Sequence, residues 1–284
     1  MLMRLRRLGR AGVSLALGTT WALFSMLEPA KARSLLWGLY LLTRKRGSMN
    51  SQLRRPIIFI AIPKSASKTI ANRLAHAMKS SVHLVGIKRG KGLWPGNTAI
   101  PFGKLLLAVI KGKVAHEHLV ADKETVAKLS RVASSVVVHV RDPRQVLISM
   151  AHHFIEAGAE VARFGVNPKK IDRDNMTEMF DYLIETVFPV LVKYVNDWVN
   201  VSRGGPVEVA FLQYEQFTVN PSAYFSALAK AIGDPDLKIT SGYSQHYRKG
   251  KIDEWRDVLT NRQQVIVNSG IPRELREQFG WPAT

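Results

Sequence analysis

The sequence predicts an α/β fold in which a central parallel sheet is flanked by helices. Two observations carry this. Aliphatic and β-branched runs at 57–62, 113–118, 134–140 and 207–212 alternate with stretches whose apolar residues recur at helical spacing, and parallel strands need such helical crossovers. The first strand also passes through a small-residue turn straight into a helix, which brings backbone N–H groups and a positive helix end to one point.

Taken in order, the strand 57–62 leads to a helix over 67–80 and a short strand at 82–85. The segment GIKRGKGLWPGNTAIPFGK (86–104) is punctuated by Gly and Pro and reads as a long basic loop, of the kind that is usually functional in a compact domain. A strand at 113–118, a helix over 121–129 and the strand SSVVVHV (134–140) follow. Asp142 caps the next helix with Pro143 at its first position. Residues Met179, Phe180, Leu183, Val187, Leu191, Tyr194 and Trp198 recur at helical spacing and predict core packing over 176–199. VEVAFL (207–212) is the last strand, followed by a helix over 221–232 and a polar C-terminal part with short helices.

The chain has 284 residues, 46% hydrophobic and 22% charged, which predicts one main domain over 49–284. Its 41 Lys and Arg against 22 Asp and Glu give a net charge of +19, suited to an anionic ligand, a nucleic acid or an acidic membrane surface. The absence of cysteine excludes a disulfide, a thiolate nucleophile and a cysteine zinc site. Residues 1–48 differ in character: Arg4, Arg6, Arg7, Arg10, Lys31, Arg33, Arg44, Lys45 and Arg46 stand against the single acid Glu28. The uncharged run 11–27 is diluted by small polar residues and falls short of the about 20 apolar residues that span a bilayer. Trp37 and Tyr40 precede Thr43-Arg44-Lys45-Arg46, an aromatic and basic flank that suits an anionic interface. The segment therefore reads as a membrane-associating appendage. It also imitates a signal peptide ending at Ala30-Lys31-Ala32, and Met49 offers an alternative start.

The turn after the first strand, in IIFIAIPKSASKTI (57–70), resembles two phosphate loops. A Walker loop ending at Lys68-Thr69 would put Ile62 and Ser67 where two glycines belong; Asp142 after SSVVVHV would then join Thr69 at Mg²⁺. Against this stands Pro63-Lys64-Ser65-Ala66-Ser67, which resembles the P-K-S-G-T-T loop of sulfotransferases that use 3'-phosphoadenosine 5'-phosphosulfate (PAPS). Ala66 replaces the glycine of that pattern, and Lys68-Thr69 replace a hydroxyl residue and an aromatic.

Three further strings follow in that family's order. Arg141 with Ser149 eight residues on, in VVVHVRDPRQVLISMAHHF, resembles the 3'-phosphate motif; a strand-end guanidinium and a hydroxyl two helical turns away can grip one phosphate. FLQYEQFTVNP resembles the strand end whose tyrosine, here Tyr214, faces adenine. YRKGKIDEW resembles the loop, here Arg248, Lys249 and Gly250, that closes over the 3'-phosphate. The resemblance spans residues 57–255 and implies a P-loop NTPase-like sulfotransferase fold. It further implies that PAPS is held by Lys64, Ser65, Ala66, Ser67, Lys68, Thr69, Arg141, Ser149, Tyr214, Arg248, Lys249 and Gly250, with no metal required.

Sulfuryl transfer also needs a base. In GKVAHEHLVADKETVAKL the His-Leu pair before a helix resembles the segment that supplies it, which points to His118, with His116 in reserve and Glu117 as a carboxylate alternative. Lys64 is the residue to stabilise the leaving oxygen. His152 and His153 fit either a substrate channel or helix packing. The basic loops 85–104 and 156–174 would set acceptor choice.

The function expected is sulfuryl transfer from PAPS to a hydroxyl or amine acceptor, a carbohydrate or lipid-linked sugar before a small phenol, with an anionic glycan or lipid suited to the basic loops. No nucleic-acid partner is expected. The protein would be cytoplasmic or membrane-associated, on the Golgi membrane in a eukaryote. The alternatives are a Mg²⁺-dependent P-loop kinase or ATPase, and a non-catalytic basic protein binding nucleotides or polyanions.

Overall fold

A computed structural model describes residues 22, 24–43, 57–90, 92–240 and 252–283. Chain order runs α1 (Pro29–Thr43), β1 (Ile57–Ala61), α2 (Ser67–Ala77), β2 (Val82–Leu84), β3 (Ile87–Lys88), β4 (Thr98–Ala99), α3 (Phe102–Ile110), β5 (Val114–Glu117), α4 (Lys123–Ser130), β6 (Ser135–Val140) and α5 (Pro143–Ala157). Two 3₁₀ segments, Gly158–Phe164 and Pro168–Lys170, lead to α6 (Met176–Thr186), α7 (Phe188–Gly204), β7 (Glu208–Gln213), α8 (Tyr214–Val219) and α9 (Pro221–Ala231). α10 (Glu254–Val258), α11 (Asn261–Gly270) and α12 (Arg273–Phe279) complete the described chain.

Five strands form one parallel sheet in the order β2-β5-β1-β6-β7. β1 lies at its centre with all five residues buried, which explains its unbroken apolar run. Side-chain alternation divides that strand between two cores. Ile58, Ile60 and Ile62 face a cluster with Leu105, Val146, Leu183, Leu191 and Trp198, whereas Phe59 and Ala61 face Ile70, Leu74, Tyr224 and Leu228. The sheet is thus sandwiched between α2 and α9 on one side and α3, α5, α6 and α7 on the other. All strands point the same way, so the turns after β1, β5, β6 and β7 gather at one edge, where open α/β sheets bind ligands.

Three elements differ from the sequence reading, one of them the short helix α8, which follows β7 directly where no helix is expected before 221. The loop expected over 86–104 contains the small ribbon β3–β4 and runs into a helix, α3, that the reading omitted; Phe102, Leu105, Leu106 and Val109 make its buried face. The Gly and Pro residues just before it masked that periodicity. The single helical stretch expected over 176–199 is two helices that meet at Val187, because Pro189 lies in the first turn of α7 and its missing N–H ends a continuous ladder.

Within the N-terminal segment, Phe24, Ala32 and Leu36 are buried in the main core. Phe24 meets Phe102 with ring centroids 5.5 Å apart. Arg33 donates to the Ser130 carbonyl at 2.6 Å, and Arg131 donates to those of Phe24 and Ser25 at 3.0 and 3.1 Å. Among the described residues no helix is long and apolar enough to cross a membrane. The basic stretches 4–10 and 44–46, the alternative start Met49, and Arg248, Lys249 and Gly250 lie outside the described residues.

Candidate functional site

The turn after β1 is built against its residues' preferences. Lys64 and Ala66 both take left-handed backbone conformations, φ 58° and 57°, each costing an L-residue about 1–2 kcal/mol. Ala66 is the N-cap of α2 and offers no side-chain cap, so the first-turn amides of α2 are left for another acceptor. Ser65 is fully buried, with its hydroxyl donating to the Ile62 carbonyl at 2.6 Å. Lys64 and Thr69 are half-buried, Ser67 is buried and Lys68 is exposed.

β6 delivers Arg141 to this turn. Its guanidinium donates to the Lys64 carbonyl and lies 4.0 Å from the Tyr214 ring centroid. Burial is the main influence on this arginine and lowers its pKa, which makes a nearby anion favourable. The neighbouring Asp142 does not pair with Arg141. It accepts Arg144 N–H at 2.9 Å and pairs with the buried Arg144 side chain at 2.6 Å, while Arg144 also lies 4.2 Å from the Trp255 ring centroid. The carboxylate oxygens are therefore committed to a structural ion pair, against the Mg²⁺ role of the kinase alternative. Among the described residues no group of three or more His, Cys, Asp or Glu could hold a metal ion.

Ser149 sits half-buried on α5, six residues after Pro143, which the helical rise puts about 9 Å along the axis. Tyr214 opens α8 and is buried; its ring contacts Arg141 and Phe217. Gln145 on α5 donates to Glu254 at 3.2 Å and accepts Trp255 N–H at 3.3 Å. These contacts fix the chain just beyond Arg248, Lys249 and Gly250 to the first turn of α5.

His116 in β5 and His118 just after it lean on the carbonyls of β1. His116 Nδ1–H donates to Phe59 at 3.0 Å and His118 Nδ1–H to Ala61 at 2.6 Å. Each bond places the ring proton on Nδ1, so Nε2 of His118 carries a lone pair. Burial, then the neighbouring His116, lowers the His118 pKa to about 3, and the ring is neutral throughout the physiological range. Glu117 is differently engaged: its carboxylate accepts Gly86 N–H at 3.2 Å and His118 N–H at 3.0 Å.

An aromatic wall that the sequence reading did not identify stands beside His118. Trp94 meets the His118 ring edge-on at 5.0 Å and Phe164 at 5.5 Å, and Phe164 meets His153 at 5.5 Å. His153 is held below its ordinary pKa by burial and then by the charge of Lys64. Two loops make this wall together: Trp94 N–H donates to the Phe164 carbonyl at 3.0 Å, and Lys88 Nζ donates to the Arg163 carbonyl.

No family model matches the chain, and no curated protein matches it by sequence. Solved structures similar to it include mouse sulfotransferase SULT7A1 complexed with PAP, with 15% identity, 87% of this chain and 90% of that chain covered, and a TM-score of 0.49. The sulfotransferase domain from the curacin biosynthetic pathway shows 12% identity, 80% and 98% coverage, and a TM-score of 0.43. Both are sulfotransferases. Identity and superposition are too low to transfer an activity, so function must be read from this chain's own site.

Glu215 is another residue whose place the sequence reading left unassigned. Its carboxyl accepts Asp142 N–H at 3.0 Å, and burial raises its pKa to about 7 against the lowering effect of that bond. Its position after Tyr214 was the available signal; the burial that shifts it was not.

Proposed function

We propose that the chain is a sulfotransferase that moves a sulfuryl group from PAPS to a hydroxyl or amine acceptor. The observation that carries this reading is the exchange of partners at the end of β6: Asp142 is consumed by Arg144, and Arg141 is turned to the turn after β1. A nucleotide bound there meets a guanidinium, not a free carboxylate able to hold Mg²⁺, which favours PAPS over Mg-ATP.

On this reading the first-turn amides of α2 and the hydroxyls of Ser67 and Thr69 hold the 5'-phosphate. Lys64 hydrogen-bonds the bridging oxygen as its bond to sulfur breaks, and Arg141 with Ser149 holds the 3'-phosphate. The acceptor oxygen or nitrogen attacks sulfur in line, and its proton passes to Nε2 of His118. The products are the sulfated acceptor and adenosine 3',5'-bisphosphate. A base of pKa about 3 is too weak in the free protein; the negative charge of the donor raises it once bound.

The acceptor proposed is an anionic glycan or glycolipid. Arg89 is spent on Asp122 and Glu124, but Lys169 and Arg173 line a cavity of about 450 Å³ with Ile155, Pro168 and Ile171. That volume lies within the usual range for small-molecule sites.

Thermal unfolding of the full chain, whose Phe24, Ala32 and Leu36 belong to the core, tests the donor. Adenosine 3',5'-bisphosphate at a hundredfold excess over Kd should stabilise by about 2.7 kcal/mol, a rise of several degrees. The rise should survive chelator and be lost in Arg141→Ala and Ser149→Ala. Stabilisation by ATP only with Mg²⁺ would return the site to a kinase or ATPase.

A further inference from the structure

We propose that His139 is a positioning residue that props the turn 64–66 from beneath and aims the Ala66 amide at the bound anion. This rests on reading the turn as the phosphate loop. A histidine inside VVVHV is out of place in the centre of a parallel sheet, where both faces are buried and runs are near-continuously apolar. It is fully buried, so its two ring nitrogens must be satisfied from within. They are: Nε2 lies 2.8 Å from the Ser65 carbonyl and Nδ1 2.9 Å from the Tyr224 hydroxyl.

A carbonyl can only accept, so Nε2 carries the proton, and Nδ1 must accept the hydroxyl hydrogen of Tyr224. One tautomer fits, and it is held by three elements, β6, α9 and the turn after β1. Phe59 stacks on the ring at 5.8 Å and Tyr224 meets it edge-on at 5.5 Å. Burial keeps this histidine neutral.

The consequence for the site follows from the planarity of the peptide unit. The Ser65 carbonyl and the Ala66 N–H belong to one trans peptide and point in opposite directions. Drawing that oxygen down onto His139 therefore turns the Ala66 N–H away from the core, to the ligand side. The prop is needed because the turn holds two left-handed residues, Lys64 and Ala66, neither of them glycine. Without it, the 65–66 peptide could turn over and relieve the left-handed φ of Ala66.

Amide hydrogen exchange of residues 64–68 in the ligand-free full chain, with calorimetric titration of adenosine 3',5'-bisphosphate, tests the assignment. His139→Leu should speed exchange in this segment at least tenfold and weaken bisphosphate binding at least tenfold. His139→Gln can still donate to Ser65 and should keep both within about threefold. Tyr224→Phe removes only the hydroxyl and serves if His139→Leu does not fold; it should weaken binding about threefold and loosen the same amides. Unchanged exchange and affinity in His139→Leu, or in Tyr224→Phe where leucine does not fold, or a glutamine variant as impaired as leucine, would overturn the proposal. If the unaltered protein fails to bind bisphosphate, the donor reading falls, while the exchange rates still decide the role of His139.

Discussion

His118 combines a fixed tautomer with a suppressed pKa, so its substitution should separate chemistry from donor binding. His118→Ala is expected to lower kcat at least a hundredfold while bisphosphate affinity, read by calorimetry, stays within about twofold. Arg141→Ala should do the reverse, weakening the bisphosphate by about 2–3 kcal/mol as a charge-assisted contact is lost. Glu215 makes affinity depend on pH. Its pKa of about 7 lies above the ordinary carboxylate value, so it is uncharged below that pH and adds a negative charge beside Arg141 above it. Bisphosphate affinity should decline from pH 6 to pH 8, and Glu215→Gln should flatten that profile, recovering about 1 kcal/mol at pH 8. That Lys64 and Arg141 meet was legible to the extent that each sits in a short string at a strand end. His139 and the Trp94–Phe164 wall were not, since their meaning comes from partners 74 and 70 residues away in sequence, at Ser65 and across two loops. Tyr214 was found as a motif residue, yet its ring lies against Arg141, a contact that no string announces.

The strands β1, β5 and β6 were the most readable elements, because burial on both faces writes an apolar run. The helix α3 was hidden by the Gly- and Pro-rich approach to it, and the division of α6 from α7 turned on the single proline at 189. Between elements, the turn from β2 to β3 is tightly fitted to the end of β5. A methyl group on Gly86 would come 2.2 Å from Glu117 Cγ, whose carboxylate holds the amides of both Gly86 and His118. Gly86→Ala should therefore cost about 1–3 kcal/mol in chemical denaturation and lower turnover by disturbing the backbone under His118.

Across the whole molecule, buried histidines set the acid limit of stability. The folded pKa of His139, about 4, lies below its unfolded value near 6.5, so unfolding takes up a proton between these values. Its contribution is present above pH 6.5 and is lost as pH falls to about 4, at about 1.4 kcal/mol per pH unit; His118 acts in the same direction. Denaturant midpoints measured from pH 7 to pH 4.5 should fall, and less steeply in His139→Gln. The net charge of +19 suits an anionic partner but does not say where one would bind. Long-range packing also makes the joint between the loops that carry Trp94 and Phe164, where a methyl on Gly165 would strike the Gly92 carbonyl at 2.4 Å. Neither loop can be reshaped without the other. Acceptor preference should therefore evolve, and be exchanged by grafting, in paired steps, with chimaeras of one loop inactive and chimaeras of both loops carrying the new preference.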